Sequence, residues 1–126
     1  MEVAKKVIFI KDWILNYVNS MPVKAQSLVI GISGGIDSSV TSTLCAMTGL
    51  KTIVLTMPIK QNKEQNDLSL LHKNWLSEKF NNVESHSLEL DNVFKNFENT
   101  LSDFKSEHGM ANSRARLRMT TLYQVA

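Results

Sequence analysis

The segment between residues 28 and 39 constrains the fold of this chain more than any other. It runs from an apolar stretch, Leu28 to Ile32, through Ser33-Gly34-Gly35 into the polar sequence Ile-Asp-Ser-Ser at 36–39. This order predicts a strand, a glycine turn and the first turn of a helix. Unpaired backbone N–H groups and the helix dipole at such a junction favour a bound anion.

The side chains of the junction indicate which anion it binds. Gly34 and Gly35 permit a positive φ and a close approach of the anion to the main chain. Ser33 and Ser38 add hydroxyl donors, and Asp37 adds a carboxylate, which beside a phosphate implies a metal ion between the two. The residues therefore predict a phosphate-binding loop with Asp37 as a Mg²⁺ ligand. The alternative is a strand–helix turn in which Asp37 or Ser38 only caps the helix.

The sequence Ser-Gly-Gly-Ile-Asp-Ser-Ser at 33–39 resembles the pyrophosphate loop of the ATP-pyrophosphatase superfamily. It lacks the lysine of a P-loop and the Gly-x-Gly-x-x-Gly of a dinucleotide-binding loop. The resemblance implies an enzyme that splits ATP between the α- and β-phosphates and transfers AMP to an acceptor. It leaves the identity of the acceptor open.

Composition limits the class of protein. The chain has 126 residues, 43% of them apolar and 21% charged, which is typical of one compact domain. A net charge of +2 gives no argument for a nucleic-acid partner, and no apolar run approaches the ~20 residues of a membrane span. The single cysteine, Cys45, excludes a disulfide framework. We expect a cytoplasmic protein without a nucleic-acid or membrane partner.

Apolar runs and helical stripes alternate along the chain. The pattern predicts strands at 28–32, 52–57 and 83–90, with helices before, between and after them. The last helix is expected to begin near Asn112, with Asn112 as its cap. Such alternation indicates an α/β fold with a three-layer architecture, in which a parallel sheet carries helices on both faces. Because no stop signal ends the last helix, we expect a sheet that is truncated after its third strand.

Three arginines alternate in the segment 112–119. On a helix Arg114 and Arg118 share a face, whereas Arg116 points elsewhere. Cations are unfavourable in the first turn of a helix. Because the three arginines are expected there, the pattern favours an anionic partner for them over a merely solvated surface.

With this motif the resemblance to a family becomes specific. Residues 112–123 resemble the arginine helix of NAD synthetases, and residues 31–38 resemble the ATP-binding loop of that family. Met57-Pro58 followed by Gln61 and Gln65 resembles, more weakly, a loop that lies near the adenine. The similarity implies an adenine-nucleotide α-hydrolase-like fold. It also implies the ammonia-dependent form of the enzyme, since no glutaminase accompanies these motifs.

The resemblance further implies a reaction and its binding residues. A carboxylate of deamido-NAD attacks the α-phosphorus of ATP, pyrophosphate leaves, and ammonia converts the acyl-adenylate to NAD and AMP. By resemblance, ATP contacts eight consecutive residues: Gly31, Ile32, Ser33, Gly34, Gly35, Ile36, Asp37 and Ser38. Asp37 also binds Mg²⁺, and Arg116 binds deamido-NAD, whereas Arg118 either assists or braces the helix. No residue stands out as a general base.

Residues 1–126 are identified as the N-terminal half of an NAD synthetase domain. The family's second Mg²⁺-binding glutamate and several contacts to both substrates have no counterpart here, so we expect this chain alone to be inactive. Family members are homodimers, and the strand at 28–32 is central in their sheet, so here we expect it at an edge. Two alternatives remain: another pyrophosphate-loop adenylating enzyme, or a non-catalytic nucleotide-binding remnant.

The remaining polar and aromatic residues receive structural roles. Trp13 and Trp75 lie on apolar helix stripes and are predicted to be core residues. Asp91 and Glu98 are predicted to be solvated charges on a helix face. Three scattered histidines have no metal-ligand spacing.

Overall fold

A computed structural model of the chain describes residues 2–126, in which five α-helices and three β-strands alternate after the first helix. The helices are Val3–Ser20 (α1), Ile36–Met47 (α2), Lys63–Lys79 (α3), Asp91–Thr100 (α4) and Glu107–Val125 (α5). The strands are Leu28–Gly31 (β1), Thr52–Thr56 (β2) and Val83–Ser87 (β3). From residue 2 to residue 126, no helix is both long enough and apolar enough to cross a bilayer.

The strands form one parallel sheet in the order β1-β2-β3. Val29 lies opposite Ile53, and Ile53 lies opposite Glu84. Every residue of the central strand β2 is buried, whereas β1 is only half-buried at one edge and β3 exposes polar side chains at the other. The predicted parallel α/β sheet is confirmed, and the strand before the glycine turn lies at an edge as expected.

Successive side chains of β2 pack alternately into two hydrophobic cores on opposite faces of the sheet. Ile53 and Leu55 belong to a cluster with Phe94 of α4 and Met110 of α5. On the other face, Val54 packs with residues of α2 and α3: Ala46 and Leu76. The fold therefore has three layers, with α4 and α5 on one face and α2 and α3 on the other.

Helix α1 packs against α2 and leaves much of its apolar surface exposed. The prediction that Trp13 and Trp75 are core residues is wrong, because their exposed fractions are 57% and 43%. Trp13 stacks on Tyr17 and Trp75 stacks on His72.

Helix α5 begins earlier than the sequence suggests. Ser106, not Asn112, is the N-cap residue, and its hydroxyl accepts a hydrogen bond from the Gly109 N–H at 3.0 Å. A Cβ on residue 109 would lie 2.7 Å from that hydroxyl, so glycine here permits the cap and does not break the helix. The arginines consequently lie about two turns into α5, beyond the first turn in which the helix dipole disfavours cations.

Candidate functional site

The turn between β1 and α2 is held by its own hydroxyl groups. The Ser33 N–H donates to Ser38 Oγ at 3.1 Å, and the Gly35 N–H donates to Ser33 Oγ at 3.2 Å. Gly35 is the N-cap residue of α2 and provides no side-chain cap. Neither Asp37 nor Ser38 therefore occupies the capping position that the structural alternative gave them.

Helix α3 and the loop before it fix this glycine turn from outside. Gly34 has a φ of +91°, and a Cβ there would lie 2.6 Å from the backbone oxygen of Gln65. The side-chain amide of Gln61 donates to Ser33 O at 3.1 Å. Only glycine fits at position 34, since the conformation and the close approach to α3 both exclude a side chain.

The start of α2 presents several free backbone donors. After the hydrogen bonds of the turn are counted, the N–H groups of Gly34, Ile36, Asp37 and Ser38 have no acceptor within residues 2–126. Their donors and the positive end of the helix dipole form an arrangement that binds anions. This is the local geometry that the sequence predicts for a phosphate-binding loop.

Asp37 provides one carboxylate beside these donors. Its side chain is exposed and makes no hydrogen bond or ion pair in the part of the chain that the structure describes. No group of three His, Cys, Asp or Glu side chains converges among the described residues. One carboxylate fits Mg²⁺ that takes its other ligands from phosphates and water, but it does not fit a metal site made by protein alone.

A cleft of about 580 Å³ opens beside the glycine turn, between the carboxyl ends of β1 and β2 and one side of α5. Three of the predicted ATP-binding residues line it, and residues 34–38 follow directly in the turn and in α2. The other lining residues include both glutamines singled out from the sequence, an apolar floor and three cations: Gln61, Gln65, Met57, Met119, Leu122, Lys60, Arg114 and Arg118. No Asp or Glu among residues 2–126 lines this cleft, so its electrostatic character is positive.

Arg118 links α5 to the end of β2. Its Nε donates to Met57 O at 2.9 Å, and the side chain is half-buried. Desolvation, followed by repulsion from Arg114, lowers the pKa of the Arg118 guanidinium below its usual value. Arg114 itself lies 5.7 Å from the centre of the Phe94 ring.

Arg116 lies apart from the glycine turn. It lines a second cavity of about 360 Å³ between α4 and α5, together with the stacked rings of Phe94 and Phe97. The structure therefore places Arg114 and Arg118 in the cleft and Arg116 in a different, mainly apolar cavity. The sequence correctly separates Arg116 from the other two.

The loop after β2 is tethered to α4 by residues whose role the sequence did not show. Lys60 has a φ of +49°, and its N–H donates to Asp91 Oδ1 at 2.7 Å. Its ammonium pairs with Glu98 at 2.6 Å, which lowers the pKa of that carboxyl. The prediction that Asp91 and Glu98 are merely solvated is wrong. The one sequence signal for this tether was the position of Asp91 at the start of a helix.

Comparison with known proteins shows what family this fold and cleft belong to. A family model described as NAD synthase matches residues 6–126. The chain belongs to the NAD synthase family. It is 36% identical over 128 aligned residues to the NH3-dependent NAD(+) synthetase of Finegoldia magna, covering all of this chain and 50% of the relative. It is 37% identical to that of Mesoplasma florum, covering 91% of this chain and 48% of the relative.

Solved structures of the family agree with this assignment. The NH3-dependent NAD synthetase of Campylobacter jejuni superposes with a TM-score of 0.83 at 30% identity, over 99% of this chain and 52% of that one. The NMN synthetase of Francisella tularensis gives 0.75 at 33% identity, over 98% and 48%. The chain thus spans about half the length of the NAD synthase relatives that it matches, and the resemblance read from its motifs is confirmed.

Proposed function

We propose that this chain forms the ATP-binding part of an enzyme that makes NAD by amidating deamido-NAD. ATP activates the acceptor carboxylate as an acyl-adenylate, ammonia is the nitrogen donor, and AMP and pyrophosphate are released. One observation carries the proposal: in a chain of the NAD synthase family, a glycine turn with four free N–H groups adjoins a positively charged cleft.

The chain contributes binding and charge stabilisation to this reaction. Donors of the segment 31–38 hold the phosphates of ATP, which places the α-phosphorus for in-line attack and stabilises the leaving pyrophosphate. Asp37 would hold Mg²⁺, which supplies compensation for the charge on that pyrophosphate. The attacking group is a carboxylate that is already ionised, so the step requires no general base.

Arg116 is proposed to bind deamido-NAD. Its cavity also contains Phe94 and Phe97, which offer aromatic surface to a nucleoside ring while the guanidinium offers charge to a carboxylate or phosphate. This cavity is separate from the glycine-turn cleft. Their separation supports a deamido-NAD site that a second subunit completes. We therefore include a homodimer in the proposal, supported also by the exposed apolar surface of α1. Sedimentation velocity measures that association.

A cytoplasmic location belongs to the same proposal. Cys45 is free and buried, and burial raises the pKa of its thiol, so it is neither a disulfide partner nor a reactive group in the described fold. Cell fractionation with an antibody to the chain tests the location.

A chimera tests the catalytic proposal. Residues 1–126 would replace the matching half of the Campylobacter jejuni enzyme, and NAD and AMP would be measured with ATP, Mg²⁺, deamido-NAD and ammonium. We expect equal amounts of NAD and AMP from the chimera, none from residues 1–126 alone, and none from the Asp37→Ala chimera. Asp67→Ala, which removes a carboxylate of α3 outside the cleft, is the matched control. A folded, dimeric chimera that forms no AMP contradicts the proposal.

A second acceptor can be compared directly. The likeness to an NMN synthetase at 33% identity supports a mononucleotide carboxylate as an alternative substrate for the same adenylating cleft. The ratio of kcat/KM for deamido-NAD and for nicotinate mononucleotide in the chimera distinguishes the two. A ratio above one favours NAD synthesis, and a ratio below one favours the mononucleotide.

A further inference from the structure

The guanidinium of Arg118 keeps most of its hydrogen-bonding capacity unused. An arginine carries five N–H donors, and here only Nε has a partner, the Met57 oxygen at 2.9 Å. Neither terminal amino group makes a hydrogen bond or ion pair with any described residue. The side chain is nevertheless half-buried, so these groups have lost part of their hydration without gaining a protein acceptor.

Among residues 2–126 no carboxylate pairs with these free donors, although the charge of Asp91 raises the pKa of Arg118 and partly offsets the lowering by burial. Arg118 lines the same cleft as Gly31 and Ser33, together with Arg114 and Lys60. Among the residues from 2 to 126, the cleft has no carboxylate in its wall. The Lys60 ammonium is paired with Glu98, but Arg114 and Arg118 repel each other in the same cleft, so an anion there would relieve the repulsion as well as satisfy the donors.

The hydrogen bond to Met57 fixes the direction of the guanidinium. Met57 directly follows the buried strand β2 and is itself buried, so its carbonyl is a rigid acceptor for Nε. With Nε held, the two terminal amino groups of the planar fork keep a defined orientation, which matches the spacing of two oxygens on one phosphate. Arg118 is therefore positioned before any ligand arrives.

From this geometry we infer that Arg118 binds a phosphate group of the nucleotide in the glycine-turn cleft, through its terminal amino groups. The inference rests on the proposed nucleotide function of the cleft. It assigns Arg118 a direct contact with the ligand, in addition to its bond between α5 and β2. Arg116, in the other cavity, has no part in this contact.

Calorimetric binding to the 126-residue chain tests the inference with three probes: ATP with Mg²⁺, pyrophosphate with Mg²⁺, and adenosine. We expect Arg118→Ala to weaken ATP and pyrophosphate by about ten- to a hundredfold and to leave adenosine nearly unchanged. Arg118→Lys keeps the charge but loses the fork, so its affinities should fall between those of the wild type and Arg118→Ala. Lys95→Ala removes one exposed positive charge from α4 and is the matched control for unspecific attraction.

Each contrary result has a distinct meaning. If wild-type protein binds ATP and pyrophosphate, but Arg118→Ala binds them as tightly as Lys95→Ala does, the inference is wrong and the proposed function stands. If Arg118→Ala weakens adenosine as much as pyrophosphate, Arg118 only braces the cleft, and the contact is refuted. If wild-type protein binds none of the three probes, the proposed nucleotide site fails and the inference fails with it.

A measurement on wild-type protein removes any dependence on the stability of the variants. The chain contains three arginines, so the side-chain ¹H–¹⁵N signals of Arg118 can be assigned by NMR. Pyrophosphate with Mg²⁺ should shift and sharpen the signals of the Arg118 terminal amino groups, while those of Arg116 stay unchanged. Unchanged Arg118 signals at saturating pyrophosphate would overturn the inference.

Discussion

Replacing Gly34 by alanine tests whether the glycine turn is held rigidly against α3. At a φ of +91° any L side chain is strained, at about 1–3 kcal/mol. The new Cβ would also lie 2.6 Å from Gln65 O, a backbone atom that no side-chain rotation can move away. Relief of that overlap adds about 1–3 kcal/mol. Urea unfolding followed by tryptophan fluorescence should therefore show a loss of about 2–6 kcal/mol in the free energy of unfolding.

Two other glycines separate the causes of this loss. Gly49 has a φ of +79°, and a Cβ added there would meet no atom within 4 Å, so Gly49→Ala should cost the strain alone, about 1–3 kcal/mol. Gly35 has a φ of −85°, and its Cβ would meet only Ser33 Oγ at 3.4 Å, so its alanine variant should lose less than about 1 kcal/mol. The lower entropy of the unfolded chain is common to all three variants and cancels. If Gly34→Ala costs no more than Gly49→Ala, the turn is not packed against α3 as described.

Three further predictions concern the same region. Burial lowers the pKa of His72, which shares a hydrogen bond with Ser42 at 3.0 Å, so the unfolded chain takes up this proton first. The free energy of unfolding should therefore decline as the pH falls from the usual pKa of histidine to the lowered pKa of His72. Urea midpoints measured between about pH 7.5 and 5 should depend less steeply on pH in His72→Gln than in the wild type. Equal slopes in the two proteins would refute this. Asp37→Ala should leave the unfolding midpoint unchanged but abolish the gain in ATP affinity that Mg²⁺ brings, measured by calorimetry with and without Mg²⁺; a persistent gain would assign the metal to other ligands. Gln61→Ala removes the hydrogen bond to Ser33 and should cost about 1 kcal/mol in urea unfolding; no loss would show that the bond does not hold the turn.

The positions of the strands and of the glycine turn were predictable because their signals are local or follow a simple period, whereas the edge position of the first strand followed from the resemblance to the family. Strand β2 is apolar at successive positions, which parallel sheets require when helices cover both faces, and its observed bounds differ from the prediction by one residue. The turn combines serine, two glycines, aspartate and serine in an order that few other local structures require. The separation of Arg116 from Arg118 followed from helical geometry alone.

Other features depend on contacts between distant parts of the chain, which no local pattern shows. The start of α5 was misplaced because Gly109 is typical of a turn, although here it makes room for the Ser106 cap. The tether from Asp91 to Lys60 joins residues 31 positions apart, and the positive φ of Lys60 has no signal in a lysine. Trp13 lies on an apolar stripe, yet its burial depends on neighbours that the stripe does not specify.

The central claim, that the glycine turn is the phosphate site of a nucleotide-binding cleft, is tested most directly by amide NMR. ATP with Mg²⁺ would be titrated into ¹⁵N-labelled residues 1–126. The account predicts the largest shifts at the amides of Gly34, Ile36, Asp37 and Ser38, whose free N–H groups gain acceptors, with smaller shifts across the cleft at 57–65 and 114–118. Saturable binding whose shifts lie elsewhere, or spectra unchanged by ATP, would contradict it.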